Sequence, residues 1–342
     1  MKFQRIQQLR LVAALAVVAF HALGTGTQYL PDETAIGFVR YGDLGVDLFF
    51  VISGFIICVT ATSRERDWRL FLRRRLTRIV PLYWLATSAM ILLLLALPGL
   101  IRTPGDLSWG QILQSFTFTT SFVSGGMPIV YLGWSLEYEM LFYLLGAVAM
   151  AGLRNPWQAM PLFLAALVVG GAILQPAADT VARHLLWPML LEFALGVLIG
   201  SAITTGLMPW SGMAAVAVGL ASLQLYPPEH DVWRVHVAGA VAAVVVLLAV
   251  LLDRRQPVRS AAGLFVAAGG DASYSIYLVQ VFTVPALAKA AAWAWPTMPL
   301  DLFIPLTMIA TDLAGLAACH LAERPIVRRL RERPPPATLA TA

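Results

Sequence analysis

The chain has 342 residues, of which 59 % are hydrophobic and 13 % charged, with a mean hydropathy of +0.75. A soluble domain carries about 25 % charged residues, so this composition excludes a soluble globular protein, and apolar runs fill too much of the length to leave room for a large soluble domain. The net charge of +5 comes from arginines at the ends of apolar runs, where they read as topology determinants and not as a nucleic-acid surface, while two cysteines, Cys58 and Cys319, offer neither a disulfide framework nor metal-ligand spacing.

The expected fold class is all-α, a polytopic integral membrane protein with about ten transmembrane helices. Stretches long enough to cross roughly 30 Å of hydrocarbon lie near 6–24, 43–62, 79–98, 132–152, 159–176, 185–204, 210–226, 235–253, 268–290 and 301–322. The first has the basic start and apolar core of a signal peptide. Its apolar run continues to about Gly24 with no clear cleavage site and many more spans follow, so it is expected to stay as a span. It holds Arg10 and His21, eleven residues apart. At about 100° per residue they share one helix face, about 16 Å apart along the axis. An ionisable group inside a membrane helix is a functional candidate by default. His21 can hold or take a proton near neutrality; the competing reading is an interfacial hydrogen bond. Arg10 can equally snorkel to the surface.

The second span opens with Asp47 about one turn inside its outer boundary. This carboxylate can orient a histidine or accept from a substrate hydroxyl, or simply favour a helix start. Ser53 and Gly54 follow, and close helix packing is the expected role of both. Before the third span lie Arg73, Arg74, Arg75 and Arg78, four arginines in six positions. Arg75 and Arg78 fall on one face. Guanidinium groups grip phosphate bidentately, so a phosphorylated donor is one reading, beside topology and anionic lipid headgroups. The long loop 99–131 is moderately apolar over 112–123 and suits a re-entrant or surface segment. The fourth span opens with Glu137, expected to reach the interface, and Glu139, deeper and harder to explain as surface. Glu192 and Asp312 are further carboxylates inside later spans.

An even number of spans puts both termini on one side. Nineteen of the 24 Lys and Arg residues then fall on that side, and the positive-inside rule makes it cytoplasmic. Tyrosines and tryptophans, among them Tyr131, Trp134 and Trp187, fall at the outer ends as an interfacial belt. A transmembrane domain over 1–325 is followed by a basic, Pro-rich cytoplasmic tail, 326–342, whose Pro334-Pro335-Pro336 run suits a disordered segment.

These pieces together resemble the membrane-bound acyltransferase family 3. The resemblance runs from Leu9-Arg10 to His21, through Gly45-Val46-Asp47 to Ser53-Gly54-Phe55, and through Arg75-Leu76-Thr77-Arg78 to Tyr83-Trp84. It continues in Trp134-Ser135-Leu136 with Glu139 and Phe142-Tyr143, in Ser273-Tyr274-Ser275-Ile276-Tyr277-Leu278, and in Glu323-Arg324-Pro325. One departure is Gln280, where the family often has a histidine. Another is the end of the chain about 20 residues after the last span, with no extracytoplasmic hydrolase-like domain of the kind some members carry.

The resemblance implies an inner-membrane O-acyltransferase that moves an acetyl or related acyl group from acyl-CoA to a sugar hydroxyl of an exopolysaccharide or other surface glycan. Acetyl-CoA is then a donor substrate, with no permanently bound cofactor and no metal. The implied partners are a polysaccharide or lipid-linked oligosaccharide, membrane lipids and glycan-assembly proteins. Arg73, Arg74, Arg75 and Arg78, with Arg10, would hold the donor. His21 would act as general base or acyl carrier, with Glu139 or Asp47 fixing its tautomer. The rival classes are a transporter or flippase of a glycan precursor, disfavoured because no second half repeats the first, and an acyltransferase acting on a small molecule or lipid.

Overall fold

The computed structural model describes residues 3–332 apart from 32–33, 35, 65–66, 98–106, 178–180, 208 and 227–231. The Pro-rich part of the tail and the start of the 99–131 loop lie outside the described residues. The described chain is helical throughout, without strands. In chain order the helices are α1 (Gln4–Gly26), α2 (Gly45–Arg64), α3 (Trp68–Ala96), α4 (Trp109–Thr117), α5 (Thr120–Ser124), α6 (Gly133–Gly152), α7 (Pro156–Leu174), α8 (Val181–Leu185), α9 (Leu190–Thr205) and α10 (Trp210–Ser222). They continue as α11 (Val232–Arg255), α12 (Ala261–Asp271), α13 (Ser273–Ala294), α14 (Leu300–Ala318) and α15 (Arg324–Glu332).

Each of the ten expected spans is largely helical, the one at 268–290 starting in the last turn of α12 and continuing as α13, but only eight helices among the described residues are long and apolar enough to cross a membrane by length and composition. The other two fall short for different reasons. Helix α6 carries Glu137 and Glu139 in an otherwise apolar stretch, and the segment Trp210–Leu225 is too short. A second difference concerns α3, which starts at Trp68 and not near residue 79. Asp67 caps it by accepting from the Arg69 amide at 2.8 Å. All four arginines of the cluster therefore belong to its first three turns, and the helix is about 43 Å long. The expected tail is also helical as far as Glu332, through α15.

Backbones approach most closely where small residues face one another. A Cβ on Gly54 of α2 would lie 2.2 Å from the Phe193 carbonyl oxygen, and one on Gly196 of α9 would lie 2.1 Å from that of Val51. The expected packing role of Gly54 is met in this way, whereas Ser53 turns toward a carboxylate. Phe193 stacks between Phe50 of α2 and Phe142 of α6, with centroids 4.6 Å apart on each side. These rings lock α2, α6 and α9 into one core beside the functional groups. Helix α1 lies against α12, α13 and α14; a Cβ on Gly270 would fall 1.8 Å from the Gln7 carbonyl.

Candidate active site

At the end of the bundle where α1 begins, α1, α2, α3, α6 and α13 enclose a narrow cavity of about 80 Å³. At 10–15 Å³ per water, it holds roughly six waters or a slender chain. Its wall carries Arg10, Arg75, Arg78 and Glu139, so three cations face one carboxylate. Arg75 is buried, with its guanidinium 5.4 Å from the centre of the Phe71 ring. Arg10 donates to Gln7 Oε1 at 3.1 Å. Glu139 accepts from Ser53 Oγ at 3.1 Å and from the Tyr143 hydroxyl, which hold the carboxylate in place. Ser273 Oγ, buried in the same wall, has no hydrogen-bond partner among the described residues. Arg73 and Arg74 do not line this cavity. Arg73 instead donates to the Leu330 carbonyl at 3.3 Å, tying α3 to α15, because the helix turns residue 73 to the side opposite the face shared by 75 and 78.

His21 lies about 16 Å further along the unbroken α1. Its Nδ1 faces two oxygens, Val17 O at 2.9 Å and Gln280 Oε1 at 3.2 Å. The Gln280 amide is oriented by its own Nε2, which donates to the Tyr277 carbonyl at 2.9 Å. Both neighbours of Nδ1 accept, so Nδ1 carries the proton and Nε2 keeps the lone pair, the tautomer a general base needs. Tyr277 also lines the arginine cavity and pairs with Ser135 across 2.8 Å, so α13 links the cavity wall to the histidine. On its other side His21 faces the Tyr131 ring at 5.2 Å. Burial pushes the Tyr131 phenol well above its ordinary range, which keeps it a proton donor.

Neither Asp47 nor Glu139 reaches His21, and the tautomer role expected of them falls to Val17 and Gln280. Asp47 is wholly buried and accepts from Arg234, through Nε at 3.0 Å and Nη2 at 2.7 Å. Arg234 also reaches Asp43 at 2.7 Å. Glu192, wholly buried, lies beside this pair and against Gly239, in a π-helical turn of α11. Glu137, expected to reach the interface, is engaged inside the protein. It is fully buried and accepts from the backbone amides of Thr120 and Ser121 at 2.9 and 2.8 Å. These are orphan donors at the start of α5, so Glu137 caps that helix from a distance. Late in the chain, Ser275 donates to Glu323 at 2.5 Å, joining two of the resembling motifs.

A sequence model described as an acyltransferase domain, that of acyltransferase family 3, matches residues 3–317. The chain belongs to this family. A curated relative, the exopolysaccharide production protein ExoZ of Rhizobium meliloti, is 36 % identical over 87 % of this chain and 94 % of its own length. The acyltransferase MdmB of Streptomyces mycarofaciens is 26 % identical over 96 % of this chain and 93 % of its own. The peptidoglycan O-acetyltransferase OatA of Listeria monocytogenes is 28 % identical over 52 % of this chain and 28 % of its own length. No solved structure matches the chain significantly.

In this acyltransferase the positions of the resemblance thus fall into two stations, a cationic cavity and a histidine. Gln280, which the sequence marks only as a departure from the family's pattern, is a residue whose partner sequence reading does not find. It stands where the family often has a histidine, and the fold brings it to His21 from 259 residues away. Among the described residues no group of three or more His, Cys, Asp or Glu side chains could hold a metal ion.

Proposed function

We propose that this acyltransferase moves an acetyl or closely related acyl group from acyl-CoA to a sugar hydroxyl of an exopolysaccharide or similar surface glycan. The observation that carries the reading is the narrow cavity with Arg10, Arg75 and Arg78 in its wall, linked through Tyr277 and Gln280 to a histidine with a free Nε2 lone pair. A cavity of about 80 Å³ is too small for a nucleotide but suits a slender arm. The donor phosphates would stay at the arginines and the thioester arm would enter the cavity. Ser273 Oγ offers a hydrogen bond to an amide of that arm. Orientation follows the charge asymmetry of the loops, with the arginine end cytoplasmic in the inner membrane and His21 toward the far side.

In the proposed reaction His21 Nε2 takes the proton of the acceptor hydroxyl. The oxygen attacks the thioester carbonyl carbon, the C–S bond breaks, and the departing thiolate receives the proton from the imidazolium. A bond between Nδ1–H and Val17 O keeps Nε2 available for this exchange. The names of ExoZ and OatA favour a glycan as acceptor. The test uses purified full-length protein in nanodiscs with labelled acetyl-CoA and the polysaccharide of the host cell. Base-labile label is expected on the polysaccharide. Translocation of an unmodified precursor with no acyl-CoA consumption would instead establish the flippase reading.

A further inference from the structure

A second cavity, of about 270 Å³, lies at the end of the bundle away from the arginine cluster. Trp134, Tyr138, His184, Trp187 and Arg234 line it, with the Gly125–Gly126 turn. We infer that this cavity binds one neutral pyranose ring of the acceptor, an assignment that rests on the glycan reading above.

Its chemistry is the reverse of the donor cavity's. Arg234 supplies no free charge, because Asp47 and Asp43 take its guanidinium nitrogens. What remains is a set of flat, amphipathic rings. The His184 imidazole stacks on the Trp187 indole at 6.1 Å and 14°, and the Arg183 guanidinium lies 5.8 Å from the same indole. The Tyr138 hydroxyl pairs with His184 Nδ1 at 3.3 Å. His184 Nε2 is left without a hydrogen-bond partner among the described residues, close to the open turn at Gly125, where φ is +66°. An aromatic face matches the C–H face of a sugar, and the imidazole nitrogen matches a ring hydroxyl. Among the described residues that line the cavity a phosphate finds no unpaired cation, since Arg234 is taken by Asp47 and Asp43; an acyl chain would strand the imidazole, and Arg183, outside the lining and engaged with the Trp187 ring, repels a cationic ligand.

Position also fits. Trp134 packs edge-to-face on Phe50 at 6.3 Å, and Phe50 lines the donor cavity, so one ring pair stands between the two spaces. Tyr131, one turn before Trp134, faces His21. A sugar held by Trp187 and His184 would thus have its neighbouring hydroxyl near the turn that carries Tyr131.

The experiment measures binding of oligosaccharides released by partial hydrolysis of the host cell's polysaccharide, soluble or lipid-linked, to full-length protein in nanodiscs. Saturable binding of either form is expected. His184→Ala and Trp187→Ala should weaken it by about tenfold, Trp187→Phe should restore most of it, and Trp293→Ala, an exposed indole elsewhere, should leave it unchanged. Acetyl-CoA binding should be unchanged in all four, which also shows that they fold. No saturable binding, or binding equal in wild type, His184→Ala and Trp187→Ala, overturns the inference. Sugar binding without acyl transfer would leave this site standing and remove the proposed reaction. Normal transfer at low acceptor concentration in both alanine variants would do the opposite.

Discussion

Asp47→Asn separates a scaffold role from a catalytic one. Asp47 is fully buried and its carboxylate takes the Nε and Nη2 bonds of Arg234. The asparagine keeps the shape and one acceptor but removes the charge. Breaking a buried ion pair costs about 3–5 kcal/mol. The lower end applies here, because Arg234 is 17 % exposed at its side chain and keeps Asp43 through Nη1 and the Asp43 carbonyl. A loss of about 3 kcal/mol lowers the folding equilibrium roughly a hundredfold. Reversible unfolding in mixed micelles, followed by tryptophan fluorescence, should show that loss. Acetyl transfer per folded molecule should stay within about threefold of wild type, since truncating a scaffold contact leaves the reacting groups in place. A variant of undiminished stability whose kcat has fallen a hundredfold would refute the reasoning and return Asp47 to the reacting groups.

Three further outcomes follow from the geometry. Arg75→Ala and Arg78→Ala should each raise the KM for acetyl-CoA by about 10–100-fold, the loss of one charge-assisted contact, while Arg74→Ala, outside the cavity, should leave it within about twofold; equal effects at all three positions would reduce the cluster to a topology signal. Glu137→Gln should destabilise the protein by about 1.5–3 kcal/mol through the amides at the start of α5, seen as a lower Tm with the KM for acetyl-CoA unchanged. Gln280→Ala frees one side of the His21 ring and should lower kcat by up to about tenfold with KM for the donor unchanged, whereas Gln280→Glu should preserve the bond to Nδ1–H and most of the rate.

What the sequence conveys here depends on whether a residue's partner is near it in the chain. Arg10 and His21 share a helix, so periodicity alone orders them along one face. Glu139 is legible because a carboxylate deep in an apolar stretch needs partners, and Ser53 and Tyr143 supply them. Asp47 reads as a candidate for the imidazole because its actual partner, Arg234, lies 187 residues away. Glu137 reads as surface because the amides it caps belong to another helix. The start of α3 is hidden by its own arginines, which read as a flank, although Asp67 is the cap that marks it. The contact of Gln280 with His21 is tertiary, and no local pattern announces it.

The central claim is that His21 transfers the proton at the far end of a route that begins at the arginine cavity. His21→Ala in full-length protein, assayed for transfer of labelled acetyl from acetyl-CoA to the host polysaccharide, tests it most directly. Transfer should fall by about 10²–10⁴-fold, the range for loss of a general base, while acetyl-CoA binding and folding stay as in wild type. Transfer at the wild-type rate would contradict the account.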